Sequence, residues 1–295
     1  PPASNRRQAL VPLGADILAN DRGTAPGILA RVGDTWVACF PGVPHEMQAM
    51  TGVLDALLPR LVRGRRVPAV GELYLTGLGE SAAQERLAGL LTERDPQVGI
   101  TASEAGHLCL RVVGTPGQVA RRQRELRAQV EDFVLPAPGI AASLIHELVA
   151  RSATVTAAES CTAGQVIAQL ASAPGASQVL REAFIVYHQQ AKQQRLEVPA
   201  ALITRHGVVS EAVALAMALG AARQAGAELA IATTGLAGPG GGSATLPVGT
   251  VWLALVWRGR TLTRRLALSG SRTRIQARAA AQALSLAWQL VTGRC

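Results

Sequence analysis

The sequence predicts an α/β protein built from consecutive segments, and three observations carry that prediction. Short apolar runs alternate with helical periodicity over residues 140–295, the pattern of a three-layer α/β/α domain. Residues 67–135 follow a βαββα order, a small α+β domain. Between the two, Leu135-Pro136-Ala137-Pro138-Gly139 reads as a linker.

In residues 1–66, Trp36 to Phe40 reads as a strand running into Pro41-Gly42-Val43-Pro44. A helix is expected from about His45 to Leu61, with Met47, Met50, Leu54, Leu57 and Leu58 on one face. This segment has too few strands to close a core alone. In the next, a strand (Gly71 to Thr76) leads through Gly77-Leu78-Gly79-Glu80-Ser81 into a helix with Ala83, Leu87, Leu90 and Leu91 apolar. A hairpin follows, Val98 to Ser103 and His107 to Val113 around Glu104-Ala105-Gly106, then a helix carrying Val119, Leu126, Val130 and Phe133. The third segment opens with a helix (141–151) and a strand (153–157) that ends in Glu159-Ser160-Cys161-Thr162-Ala163-Gly164, expected to open a helix running to Ala171. Strand 183–187 delivers Tyr187 and Lys192. Helix 210–224 is capped by Ser210 and stopped by Gly226. Strand 229–233 runs into a glycine-rich loop, strands 249–257 and 262–268 follow, and a last helix spans 272–291.

Composition narrows the function. The chain is 48% apolar but only 3% aromatic, which implies an aliphatic core with close packing through alanine. The net charge of +9 gathers at Arg63-Gly64-Arg65-Arg66, Arg121 to Arg127 and Arg258 to Arg265. Four Trp, two Tyr and three Phe supply few stacking platforms for a single strand, so nucleic acid is not an expected partner. The βαββα order resembles small RNA-binding modules, yet no GxxG clamp lies between its helices. The charge reads instead as a solvated surface with affinity for anionic small molecules. Cys39, Cys109, Cys161 and Cys295 form no CxxC pair and no signal peptide is evident, so a cytoplasmic protein with reduced thiols is expected. The longest apolar run, Val248 to Trp257, is too short to span a bilayer, so no membrane association is expected. No ligand spacing suggests a metal, and no cofactor is implied.

The most informative residue is Lys192, the only lysine among 29 basic residues. Arginine can replace lysine for surface charge but cannot give up its proton, whereas a desolvated lysine can act as a general base. Lys192 follows Tyr187 by five residues. Ser160, Cys161 and Thr162 fall where a strand gives way to a helix, whose free amides favour an anion, although a serine there can serve simply as an N-cap. Cys161 is an alternative nucleophile with no evident histidine partner, and a small buried cysteine is its plainer reading. The loop Gly235 to Gly242 holds five glycines in eight residues and can aim amides at phosphate or carbonyl oxygens, or be only a flexible connection. Arg272 is a candidate phosphate fork or a surface arginine. Serine with lysine is a route to an activated nucleophile without histidine, so acyl transfer such as amide hydrolysis, on a phosphate-bearing substrate, is the indicated chemistry.

At these residues the chain resembles the CinA family, whose C-terminal domain is a nicotinamide-nucleotide amidohydrolase. The resemblance rests on Ala158 to Gly164, Tyr187 to Lys192, His206-Gly207-Val208-Val209-Ser210, Thr234 to Gly242, Leu246 to Trp252 and Gly270-Ser271-Arg272. It implies hydrolysis of nicotinamide mononucleotide to nicotinic acid mononucleotide and ammonia, a step of pyridine-nucleotide salvage. Ser160 would be the nucleophile, Lys192 with Tyr187 would remove its proton, and Thr234 would orient the substrate or stabilise an oxyanion. Cys161, Thr162, Gly164, Gly235, Gly238, Gly240, Gly241 and Arg272 would bind the nucleotide. His188-Gln189, Ala163, Leu246 and Gln276 depart from the family pattern without removing a proposed catalytic group.

Ser4 to Ala9, Gly23 to Gly27 and Pro41 to Met47 resemble the second half of the CinA molybdopterin-binding-like domain, so residues 1–66 are expected to be a partial domain of that kind. The first half, with its TTGGLGPTxDD-type motif, does not occur in the sequence. The ADP-ribose pyrophosphatase activity associated with that domain is therefore not expected, and this segment is expected to be incompletely folded or held by a partner chain. A homo-oligomer, dimeric or larger, is expected. The competing reading is a non-enzymatic nucleotide- or DNA-binding protein linked to competence or DNA damage.

Overall fold

A computed structural model describes residues 10–62, 67–103 and 106–294. The cluster Arg63 to Arg66, the segment Ser4 to Ala9, the turn residues Glu104 and Ala105, and Cys295 lie outside the described residues. The chain forms two compact units, Pro1–Val67 and Pro68–Cys295.

In the first unit, β1 (Asp16–Leu18), β2 (Gly27–Val32) and β3 (Thr35–Cys39) form an antiparallel sheet in the order β1-β2-β3. Helix α1 (Pro44–Leu61) starts with a proline in its first turn, where no amide is lost from the helix ladder. Among the described residues of this unit only Leu18, Leu29 and Met50 are buried apolar side chains. β1 and β2 escape a reading by periodicity because β1 is three residues long and β2 is interrupted by Arg31.

The second unit holds two sheets. The smaller, in the order β4-β6-β5, is antiparallel and is formed by β4 (Ala69–Leu75), β5 (Gln97–Ala102) and β6 (Leu108–Gly114). Helices α2 (Glu80–Leu91) and α3 (Pro116–Val130) cover it, with Leu73, Leu75, Leu87, Leu110, Val112 and Leu126 in the shared core. Thr115 caps α3 in a reciprocal capping box with Gln118.

The larger sheet carries the site. After α4 (Ile140–Ala150) come β7 (Val155–Glu159), α5 (Gln165–Ala171), α6 (Ala176–Val179) and β8 (Leu180–Ile185). Next are α7 (Gln189–Leu196), α8 (Ala200–His206), α9 (Glu211–Ala225) and β9 (Leu229–Gly235). The hairpin β10 (Thr250–Trp257) and β11 (Arg260–Ala267), then α10 (Arg272–Thr292), complete it. Strand order is β11-β10-β9-β7-β8, with β7 parallel to both β8 and β9 and the remaining pairs antiparallel.

Alternation along the strands builds the three layers. Val155, Ala157, Ile231, Leu253 and Leu255 pack with Leu144, Leu148, Val166, Leu284 and Trp288 of α4, α5 and α10. On the opposite face, Ala158, Ala230, Ala232 and Ala254 meet Val213, Met217 and Ala221 of α9. Each large aliphatic side chain contributes about 1.5–3 kcal/mol relative to exposure. The small alanines on the second face let α9 lie close to the sheet. Because β8 and β9 lie on opposite sides of β7, the chain reverses strand order there, and a crevice opens at the carboxyl ends of these strands. Among the described residues no helix is long and apolar enough to cross a membrane.

Candidate active site

Three strand ends deliver the candidate residues to that crevice. Ser160 follows β7, Val186 and Tyr187 follow β8, and Thr234 is the last residue but one of β9. Ser160, Tyr187 and Thr234, together with Cys161, Lys192, Val208, Val209, Gly235 and Arg272, line a cleft of about 380 Å³.

At its floor Lys192, only 1% exposed, has Nζ 2.9 Å from Ser160 Oγ. The same nitrogen reaches the carbonyls of Val186 at 2.7 Å and Tyr187 at 3.3 Å. A neutral amine has two N–H groups and one lone pair, and here two carbonyls and one hydroxyl await them. With the N–H groups on the carbonyls, the lone pair is left for the serine proton. Burial pushes the Lys192 pKa down to about 8, opposed in part by the neighbouring Cys161. The lone lysine is thus placed and tuned to accept a proton near neutral pH.

The expected helix start at Ser160 is corrected by the structure. α5 begins only at Gln165, with Gly164 as its N-cap, so Ser160 caps nothing. The amides thought free for a ligand are taken by Glu159, a fully buried carboxylate. Its oxygens accept from the Gly164, Val166 and Ile167 N–H groups at 2.9, 3.1 and 2.9 Å, and from the Thr162 hydroxyl at 2.6 Å. A tethered carboxylate one residue before the turn occupies the positive helix end before any solute can. Thr162 and Gly164 therefore hold the turn, and neither lines the cleft. Strand β8 likewise ends at Ile185, which places Tyr187 in the following loop.

Cys161 is buried, and burial pushes its thiol up to about 12. A thiol that remains protonated is a poor nucleophile, which favours Ser160 over Cys161 as the candidate nucleophile. The Thr234 hydroxyl donates to the Val208 carbonyl at 2.7 Å. Its proton is committed there, so it offers a ligand an acceptor, which fits orienting an amide N–H better than holding an oxyanion.

Tyr187 is 56% exposed, and its hydroxyl accepts from Arg272 at 2.6 Å. It supplies Lys192 with a backbone carbonyl, while its phenol faces the cationic rim. Arg272 also donates to the Gly238 carbonyl at 2.7 Å. Gly235 and Arg272 line the cleft, whereas Gly238, Gly240 and Gly241 do not. Sequence reasoning gave no role to Glu159 or Gln276. The latter, nearly buried, donates to the Cys161 carbonyl at 2.7 Å and fixes the peptide after the serine. Among the described residues no group of three His, Cys, Asp or Glu side chains could hold a metal ion.

Fold and site together define an α/β protein with a serine–lysine pair at the switch point of its mixed sheet. The family model for the CinA C-terminal domain matches residues 138–291. A CinA-like protein of Gemmatimonas aurantiaca is 38% identical over 96% of this chain and 69% of its own length. One from Citrifermentans bemidjiense is 37% identical over 92% of this chain and 67% of its own. The crystal structure of a CinA superfamily protein from Klebsiella pneumoniae superposes with a TM-score of 0.51 at 32% identity, covering 52% of this chain and 96% of that one. The chain belongs to the CinA family.

Proposed function

We propose that this chain is a nicotinamide-nucleotide amidohydrolase that converts nicotinamide mononucleotide and water to nicotinic acid mononucleotide and ammonia. The observation that carries this reading is the buried Lys192 amine 2.9 Å from the Ser160 hydroxyl. Neutral Lys192 takes the serine proton as Oγ attacks the carboxamide carbon, giving a tetrahedral intermediate. The lysine returns that proton to the departing amide nitrogen, ammonia leaves, and an acyl-serine remains. Water, deprotonated by the same amine, then releases the carboxylate and restores Ser160. Thr234 accepts from the carboxamide N–H2, and Arg272 faces the nucleotide phosphate.

The test is ammonia release from nicotinamide mononucleotide by wild type and by Lys192→Arg, both shown to be folded. Turnover by wild type and its loss in the charge-conserving variant are expected. Equal turnover in both would reduce Lys192 to a positive charge, and no turnover by folded wild type would reject the reading.

A further inference from the structure

A second groove of the second unit lies apart from the serine–lysine cleft. It measures about 990 Å³ and runs between α10, the start of α2 and the β5–β6 hairpin, sharing no lining residue with the cleft. Arg274 and Arg278 line it one helical turn apart, so both guanidinium groups stand on one face of α10. Both are exposed, and neither is ion-paired among the described residues. Arg278 has only a long contact, 3.5 Å, to the Ser269 carbonyl. Across from them α2 begins at Gly79 and Glu80, which also line the groove, without a side-chain cap on its first amides. His107 lines it too, and its Nδ1 is buried without a hydrogen-bond partner. Glu80 is the only carboxylate among the described residues that line the groove. Its single described hydrogen bond, from Gln84, is long at 3.4 Å.

Unpaired cations and an uncapped helix start are complementary to an anion, while the Glu80 carboxylate suits hydroxyl donors. We propose that this groove is a second ligand site that takes a nucleoside diphosphate. The phosphates would sit on Arg274 and Arg278, and the ribose hydroxyls would donate to Glu80. The proposal stands independently of the chemistry assigned to the cleft.

Calorimetric titration of the full chain with ADP, with inorganic pyrophosphate and with nicotinamide mononucleotide tests it. One ADP per chain is expected, its affinity reduced at least about tenfold in the Arg274→Gln/Arg278→Gln variant. Glu80→Gln should weaken ADP while leaving pyrophosphate unchanged, which separates a nucleotide site from a bare phosphate site. Saturating nicotinamide mononucleotide should leave ADP binding in place. All three substituted side chains are exposed, and thermal unfolding checks that the variants remain folded. No ADP binding at millimolar concentration, equal affinity in the double-arginine variant, or displacement by nicotinamide mononucleotide would overturn the proposal. So would a preference for single-stranded oligonucleotide over ADP at this face. Because every arm reads binding, an inactive serine–lysine cleft would not be mistaken for failure here.

Discussion

The Arg272 guanidinium donates to the Tyr187 hydroxyl at 2.6 Å and thereby ties the loop after β8 to the first turn of α10. Its second hydrogen bond, to the Gly238 carbonyl at 2.7 Å, adds the glycine loop to the same bridge. Tyr187→Phe removes one anchor and leaves the other. KM for nicotinamide mononucleotide should rise severalfold with kcat nearly unchanged, and Arg272→Gln should raise it further, by about tenfold or more. Steady-state ammonia release separates the two constants. A collapse of kcat in Tyr187→Phe with constant KM would instead place the phenol in the proton transfer.

The depressed Lys192 pKa sets a direction for the pH profile. Below about 8 the amine is protonated and cannot accept the serine proton, so activity falls as pH drops through that value. The decline should approach about tenfold per pH unit, with a plateau above the pKa. Measured kcat/KM between neutral and mildly alkaline pH checks this, and a flat profile would remove Lys192 from the role of base.

Glu159 gives the sharpest test of the turn that presents Ser160. Its carboxylate takes four donors on two oxygens, and a glutamine replaces one oxygen with an N–H2 group. In either orientation that group faces a backbone N–H, so at least one buried donor loses its acceptor. Glu159→Gln should therefore cost about 1–3 kcal/mol for each unsatisfied group. A lower kcat should accompany the loss, because Ser160 is the next residue. Urea unfolding together with ammonia release measures both effects, and a variant as stable as wild type would contradict this account.

Much of the site was legible because its residues are chemically unusual where they stand. A lone lysine in an arginine-rich chain, a hydroxyl after an apolar strand and a glycine run need no coordinates to be noticed. Partners were not legible. Nothing in the string Ala158 to Gly164 says that the glutamate, rather than a solute, fills the amides of α5, since that depends on how the chain turns after β7. Tyr187 was grouped with Lys192 through sequence proximity, while its hydroxyl meets Arg272, eighty-five residues away. Helix α7 passed unseen because Gln189 to Leu196 is polar, with only Lys192 and Leu196 buried. Its helical period consists of one catalytic candidate and one leucine. In the sequence Gln276 reads only as a departure from the family pattern, yet its amide is well suited to the neutral Cys161 carbonyl it serves.

Cys161 should prove chemically silent. With its thiol pushed up to about 12 by burial, almost none is thiolate at the pH where Lys192 becomes active. Iodoacetamide applied to the folded chain should leave Cys161 unmodified and activity intact. Cys161→Ala should retain most of kcat. Inactivation that tracks alkylation of Cys161 would return the thiol to the chemistry.

Gly220 ties the fold to the position of the amine. A Cβ at this point of α9 would lie 2.1 Å from the Leu196 carbonyl oxygen, a backbone atom that no rotamer change can move. Leu196 ends α7 one turn after Lys192, and the Lys192 carbonyl receives the Val198 N–H just beyond it. Gly220→Ala therefore has to push α7 away from α9. This overpacking should cost about 1–3 kcal/mol and shift Nζ from Ser160, so kcat falls as well. Gly89, inside α2, provides the control, because a Cβ there meets nothing within 4 Å. Gly89→Ala should stabilise by about 0.5–1 kcal/mol through helix propensity and leave ammonia release untouched. The two unfolding midpoints should thus move in opposite directions, while kcat falls only in Gly220→Ala. A Gly220→Ala protein matching wild type in both would show that α9 does not hold Lys192 in register.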